Sequence, residues 1–221
     1  MSLLLTAFGR FDSGANCSES LLRRLTTERE AVRSAWRDEV AFALFDVDTD
    51  TAERQLHAAI AQARPTHVLL TGQAVGRSAL SFERIARNHR DLRTPDERGA
   101  VGALGPVRDG GPETRAATWP DLEGVAAALR AQGFPAEVSD DAGAHLCNQT
   151  LYLALEAAER AVRPFVVTFL HLPLIPEQVA ANVPAAARLQ SCFALPLDDM
   201  ARAVTAFLVH TRRGTRVLPD A

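Results

Sequence analysis

Short apolar runs rich in branched and aromatic residues alternate with stretches of helical spacing, and no other feature narrows the fold as much. The runs at 3–8, 40–45 and 67–71 read as strands, and the stretches at 19–36 and 51–63 as helices. Such alternation implies a parallel sheet wrapped by helices. Beyond it, the pattern predicts a helix over 121–132, a strand over 136–139, a helix beginning near Cys147, a buried strand over 165–170, and a packed amphipathic helix over 197–211. The expected architecture is an α/β fold of three layers, α/β/α. At 221 residues, 47% of them hydrophobic, the chain is long enough to bury a sizeable core, and a single domain over 1–221 is expected. No internal repeat, low-complexity tract or linker divides it. The segment 91–120, rich in Gly, Pro and charge, lacks periodicity and reads as a long loop of the functional kind.

The 24 basic and 27 acidic residues give a net charge of −3 without a lysine-rich run, which argues against nucleic acid as a partner. The opening segment lacks a basic leader, and its apolar stretch is too short for a signal core or a membrane span. It reads instead as the first strand of a cytoplasmic protein. Cys17, Cys147 and Cys192 are odd in number and lack C-x-x-C spacing, which argues against a disulfide framework or a zinc site.

Chemistry points to the run from Asp141 to Asn148 and to His171, 24 residues beyond the thiol. Small, turn-forming residues precede Cys147 and a helix-forming stretch follows, which places the thiol in a first helical turn where unpaired amides favour a thiolate. His171 closes an apolar run that reads as a buried strand, so its imidazole projects from a rigid edge. A third group must hold that imidazole in the right tautomer, and Glu83, in the glycine-rich turn 72–84, is the best candidate. The same turn could be read as a phosphate loop, but it lacks the Walker lysine and the third Rossmann glycine. Each residue also has a plainer reading. A free cysteine is most often a buried, inert thiol, and a histidine beside a strand end is most often a satisfied core group. His145 lies two residues from the thiol on another helix face and reads as a loop or capping residue. Cys17 and Cys192 read as small hydrophobes.

Together these segments resemble the pyroglutamyl peptidase I family of cytoplasmic cysteine exopeptidases, which remove an amino-terminal pyroglutamyl residue. Four motifs fall in order: Leu5-Thr6-Ala7-Phe8-Gly9-Arg10-Phe11 is similar to T-G-F-x-P-F, Gly72 to Arg84 to G-Q-A-x-G-R-x-x-x-x-x-E-R, Ala142 to Asn148 to A-G-x-x-x-C-N, and His171-Leu172-Pro173 to Pro176-Glu177-Gln178 to H-x-P-x-x-P-x-Q. The resemblance implies a mostly parallel mixed central sheet of phosphorylase/hydrolase-like type. It assigns Cys147 as nucleophile, His171 as general base and then acid, and Glu83 as the orienting carboxylate. Arg93, in Arg93-Thr94-Pro95-Asp96-Glu97, matches an arginine that stabilises the oxyanion. Phe8 and Phe11 match aromatic walls of the lactam pocket, and Gln73 lies beside it. The implied substrate is a peptide with an N-terminal pyroglutamate, cleaved through a thioester without metal or cofactor. The implied assembly is a homo-dimer or homo-tetramer, supported by the apolar segment 183–197.

The chain also departs from the pattern. Residues 10–13 replace a proline and two glycines of the pocket loop, Val75 replaces a glycine, His145 replaces an aromatic residue, and Asp140 and Asp141 precede the nucleophile. Two nearby carboxylates would raise a thiol pKa unless they face solvent or cap the helix, a role open to Asp141. These departures leave two other readings open: a thiol amidase for another small cyclic or acylated amide, and a non-catalytic small-molecule-binding homologue.

Overall fold

Along each buried strand, successive side chains leave on opposite faces of the pleat, and here each face meets its own layer of helices. The computed structural model of the chain describes residues 1–12 and 14–214; Ser13 and the last seven positions of the expected domain lie outside them. In chain order the elements are β1 (Leu3–Phe8), α1 (Cys17–Thr27), α2 (Arg29–Trp36), β2 (Val40–Phe45), α3 (Thr49–Ala63), β3 (His67–Gln73), β4 (Leu80–Glu83), β5 (Ile85–Arg87), β6 (Arg90–Leu92), β7 (Gly102–Gly105), β8 (Thr114–Ala116), α4 (Leu122–Ala131), β9 (Ala136–Ser139), α5 (Leu146–Arg160), β10 (Val166–Leu172), α6 (Pro176–Ala180), α7 (Pro184–Ala187) and α8 (Leu197–Gly214).

Six strands form the central sheet in the order β2-β1-β3-β10-β4-β9. The first four run parallel; β4 is antiparallel to β10 and parallel to β9. On one face Leu3, Leu5, Leu69, Leu80, Phe82, Leu170 and Leu172 pack with α1, α2, α4 and α8; on the other Leu4, Leu70, Val167 and Phe169 pack with α3 and α5. The three-layer α/β/α expectation holds, with a mixed, mostly parallel sheet. Among the described residues no helix is long and apolar enough to cross a membrane.

Three local expectations need correction. The helix read over 19–36 is two helices that break at Glu28, whose backbone sits at φ −93°, ψ 27°. Just before the break the Thr26 and Thr27 hydroxyls donate back to the carbonyls of Leu22 and Arg23, bonds that bend helices. The 91–120 segment is not one loop: β6 pairs with β7 and β5 with β8 in two small antiparallel ribbons. Strands of three or four residues are too short to print a period. Glu83 does not sit in the glycine turn either. It ends β4, with Phe169 opposite it in the sheet.

Candidate active site

The register of the sheet brings the carboxylate and the imidazole together before any side chain is considered. Glu83 lies opposite Phe169, and His171 is two residues along from Phe169 on the same face, so the two occupy a diagonal cross-strand position. His171 Nδ1 lies 2.7 Å from Glu83 Oε1, with the histidine almost entirely and the glutamate wholly buried. That contact occupies Nδ1 and leaves Nε2 for a partner above the sheet.

The partner is Cys147. Gly143, with φ +76°, turns the chain into α5, and the helix begins after His145, so Cys147 is its second residue. Its backbone N–H is one of the first-turn amides that have no intrahelical acceptor. The thiol lies close enough for its charge to act on His171. Gly72, paired with His171 across β3 and β10, makes room for the sulfur. A Cβ there would sit 2.9 Å from Cys147 Sγ and 2.7 Å from Phe169 Cζ. Burial pushes the His171 pKa down, but the charge and hydrogen bond of the neighbouring thiolate, with those of Glu83, outweigh it and lift the value to about 9. The arrangement favours an imidazolium beside the Cys147 sulfur at neutral pH.

One residue of this cluster escaped sequence reasoning. Arg77 donates to the same Glu83 oxygen, at 2.8 Å, and to the Asp141 carbonyl at 2.6 Å. It supplies the positive charge a fully buried carboxylate needs. Its Gly76-Arg77 context in the turn before β4 was the available signal. The expected carboxylate problem near the thiol does not arise. Asp140 is held by Arg84 in a two-pronged pair at 2.7 and 2.8 Å, and Asp141 pairs with Arg87 at 2.6 Å. Asp141 does not cap α5; it accepts from Gly143 N–H inside the approach turn.

Cys147 opens onto a cleft of about 670 Å³ at the carboxyl ends of the parallel strands, the usual place for ligands in such sheets. Phe8, Phe11, Gln73 and Arg93 all line it. Phe8 ends β1, and Phe11 sits on a small loop closed by mutual backbone bonds with Gly14. Gln73 Oε1 accepts from Cys17 N–H and from Gln178 Nε2, which turns its amide N–H₂ away from both. Gln178, buried and also bonded to the Ala15 carbonyl and Ile175 N–H, is a positioning residue legible only as part of a motif. Arg93 is exposed at the rim and pairs with no carboxylate among the described residues. Further lining residues were missed, among them Arg188, which reaches Asp12 at 2.6 Å and the Thr94 hydroxyl at 3.4 Å, and Leu189. His145 does more than begin the helix, for its ring forms part of the cleft wall. The other cysteines match the plain reading. Cys17 is fully buried, its thiol bonded to the Pro173 carbonyl and its pKa raised by burial, and Cys192 lies half-buried.

A family model described as Pyroglutamyl peptidase matches residues 1–212. Among curated relatives, the chain is 40% identical to a pyrrolidone-carboxylate peptidase from Klebsiella pneumoniae over 58% of each chain. It is 31% identical to one from Streptococcus pneumoniae, over 87% of this chain and 86% of the relative. The chain thus aligns with little more than half the length of some curated relatives and with most of others. Among solved structures, a pyrrolidone carboxyl peptidase variant from Pyrococcus furiosus superposes with a TM-score of 0.84 at 26% identity, covering 98% of this chain and all of that one. Pyroglutamyl peptidase I from Bacillus amyloliquefaciens gives 0.84 at 25% identity, covering 96% and 97%.

Proposed function

The chain belongs to the pyroglutamyl peptidase family, and from that premise we propose that it is a cysteine exopeptidase that removes an N-terminal pyroglutamyl residue by acyl transfer. One observation carries the reading: His171, bonded to buried Glu83 and feeling the charge of Cys147, at a cleft that Cys147 lines together with aromatic walls. An uncharged ring amide asks for apolar walls and a few directed hydrogen bonds. Phe8, Phe11 and Gln73 supply both.

The Cys147 thiolate attacks the pyroglutamyl carbonyl carbon. The oxyanion that forms lies against the free Cys147 N–H and the Arg93 guanidinium; loss of one such donor typically costs about 3 kcal/mol of transition-state stabilisation. Protonated His171 gives its proton to the leaving amine as the C–N bond breaks, leaving a thioester. Water then attacks the thioester carbonyl while His171 takes its proton, and Cys147 departs as thiolate. Throughout, Glu83 fixes the imidazole and offsets its charge. The pairing of Asp140 and Asp141 with arginines weighs against the non-catalytic alternative, since neither carboxylate is left to oppose the thiolate.

The free thiols suit a reducing, cytoplasmic setting. Exposed Leu189 and Phe193, within the 183–197 segment, support a homo-dimer or homo-tetramer; light scattering after size exclusion should give a mass at least twice that of the monomer, and a strict monomer contradicts it. The activity is tested by hydrolysis of a pyroglutamyl-linked chromogenic amide. Wild type turns it over, and Cys147→Ala loses on the order of 10⁴-fold or more in kcat. Turnover retained by the alanine variant contradicts the reading, and turnover of a different acyl amide alone moves it to the thiol-amidase alternative.

A further inference from the structure

A histidine in the wall of an acyl pocket is chemically different from a phenyl ring in the same place, because a neutral imidazole carries one donor and one acceptor. Here the donor is spoken for. His145 Nε2 lies 3.0 Å from the Thr94 carbonyl oxygen, which can only accept, so Nε2 carries the hydrogen. The tautomer follows, and Nδ1 holds the lone pair. That nitrogen does not cap α5, makes no hydrogen bond among the described residues, and is not sealed from solvent. Burial, only partly opposed by the Thr94 bond and the charge of Asp96, keeps the ring's pKa below its ordinary value, so the lone pair is present at neutral pH.

The ring cannot easily turn to hide this acceptor. Phe11 packs against it with centroids 5.2 Å apart and planes at 59°. Thr94 is in turn bonded through its hydroxyl to Arg188, which is anchored on Asp12. Phe11, His145 and Cys147 line one cleft, with the acceptor two residues from the nucleophile.

Resting on the peptidase reading above, we propose that His145 is a specificity-determining residue, its Nδ1 accepting a hydrogen bond from the ring N–H of the substrate's lactam. A polar site rejects an analogue that lacks the matching donor, whereas a purely apolar wall barely distinguishes the two. The enzyme is thereby tuned to five-membered acyl rings with an N–H beside the carbon that bears the scissile carbonyl.

The test compares kcat/KM for a pyroglutamyl chromogenic amide with that for its ring-oxygen isostere, the 5-oxotetrahydrofuran-2-carbonyl amide, in wild type and His145→Phe. Wild type should favour the lactam, and the phenylalanine variant should lose about tenfold of that preference, the worth of one hydrogen bond. His145→Gln provides a second variant: it can restore the bond to Thr94 but offers no atom where Nδ1 stood, so it should lose the preference too. His145→Asn keeps an acceptor near Nδ1 and should retain most of it. An unchanged lactam-to-lactone ratio in both the phenylalanine and glutamine variants overturns the proposal while the peptidase reading stands. Absence of turnover of both substrates by wild type overturns that reading, and this inference with it.

Discussion

The floor and the roof of the cleft are built from different materials. The floor is core: Glu83 and His171 project from adjacent strands, Cys147 starts a helix buried along most of its length, and Gly72 is pinned between Phe169 and the sulfur. The roof is periphery. Phe11 sits on a four-residue loop, Thr94 follows the short strand β6, and Arg188 reaches from beyond α7 to Asp12 through a pair whose arginine side chain is 52% exposed. Moving the floor requires the sheet to move, and close-packed interiors transmit such strain. The roof can change its residues at the cost of a surface ion pair. The difference teaches that reaction and specificity are separable here, the first held by the fold and the second by loops.

Variants at the floor should cost most. Glu83→Gln leaves the shape intact but removes the charge and the tautomer control, and kcat should fall by roughly 10³–10⁴ with an unchanged circular dichroism spectrum. A loss under tenfold would mean the carboxylate is structural and the division of labour is wrong. Gly72→Ala sharpens the same point sterically. The added methyl meets Sγ and the Phe169 ring, so the melting curve should report about 1–3 kcal/mol of destabilisation, and kcat should fall more than KM rises.

The floor also predicts a pH signature. The folded value for His171, about 9, lies above the ordinary 6.5. The protonated ring therefore stabilises the fold fully below about pH 6.5, and that contribution drains away as pH rises through 9, on the order of 3 kcal/mol in all. Denaturant midpoints should fall between pH 7 and 10 in wild type and fall less in Cys147→Ala, where the sulfur that raises the His171 value is gone. Equal slopes would contradict the ion pair.

Roof variants should cost least. Arg188→Ala breaks a partly exposed pair worth up to about 1 kcal/mol, so stability should barely move while KM rises a few-fold. A loss in kcat as large as that of Glu83→Gln would erase the contrast between the two regions.

The same contrast governs what could be read without coordinates. The layers, the strand at 3–8 and the thiol at a helix start were legible because long apolar periods and helix-entry chemistry are local signals. The sequence also singled out Cys147, His171 and Glu83, two of which the structure joins by a 2.7 Å bond. The setting of Glu83 was not: β4 is four residues long and pairs antiparallel with β10, a non-local fact that no window of sequence contains. Arg77 and Gln178 act through contacts to residues 6 and 105 positions away; the first had a nearby clue and the second had only its motif. His145 was read as a loop or capping residue; it stands at the start of α5 without a side-chain cap bond, and its contact with Phe11 depends on how two loops fold over the cleft.

The most direct measurement is the rate at which iodoacetamide labels Cys147 at neutral pH, read by peptide mass mapping against a free cysteine control. A thiolate held by the first turn of α5 and by His171 should label about tenfold faster than the control or more, while buried Cys17 stays unmodified and Glu83→Gln slows the reaction. Labelling of Cys147 no faster than free cysteine, unchanged by Glu83→Gln, would contradict the picture of an activated nucleophile at the floor of the cleft.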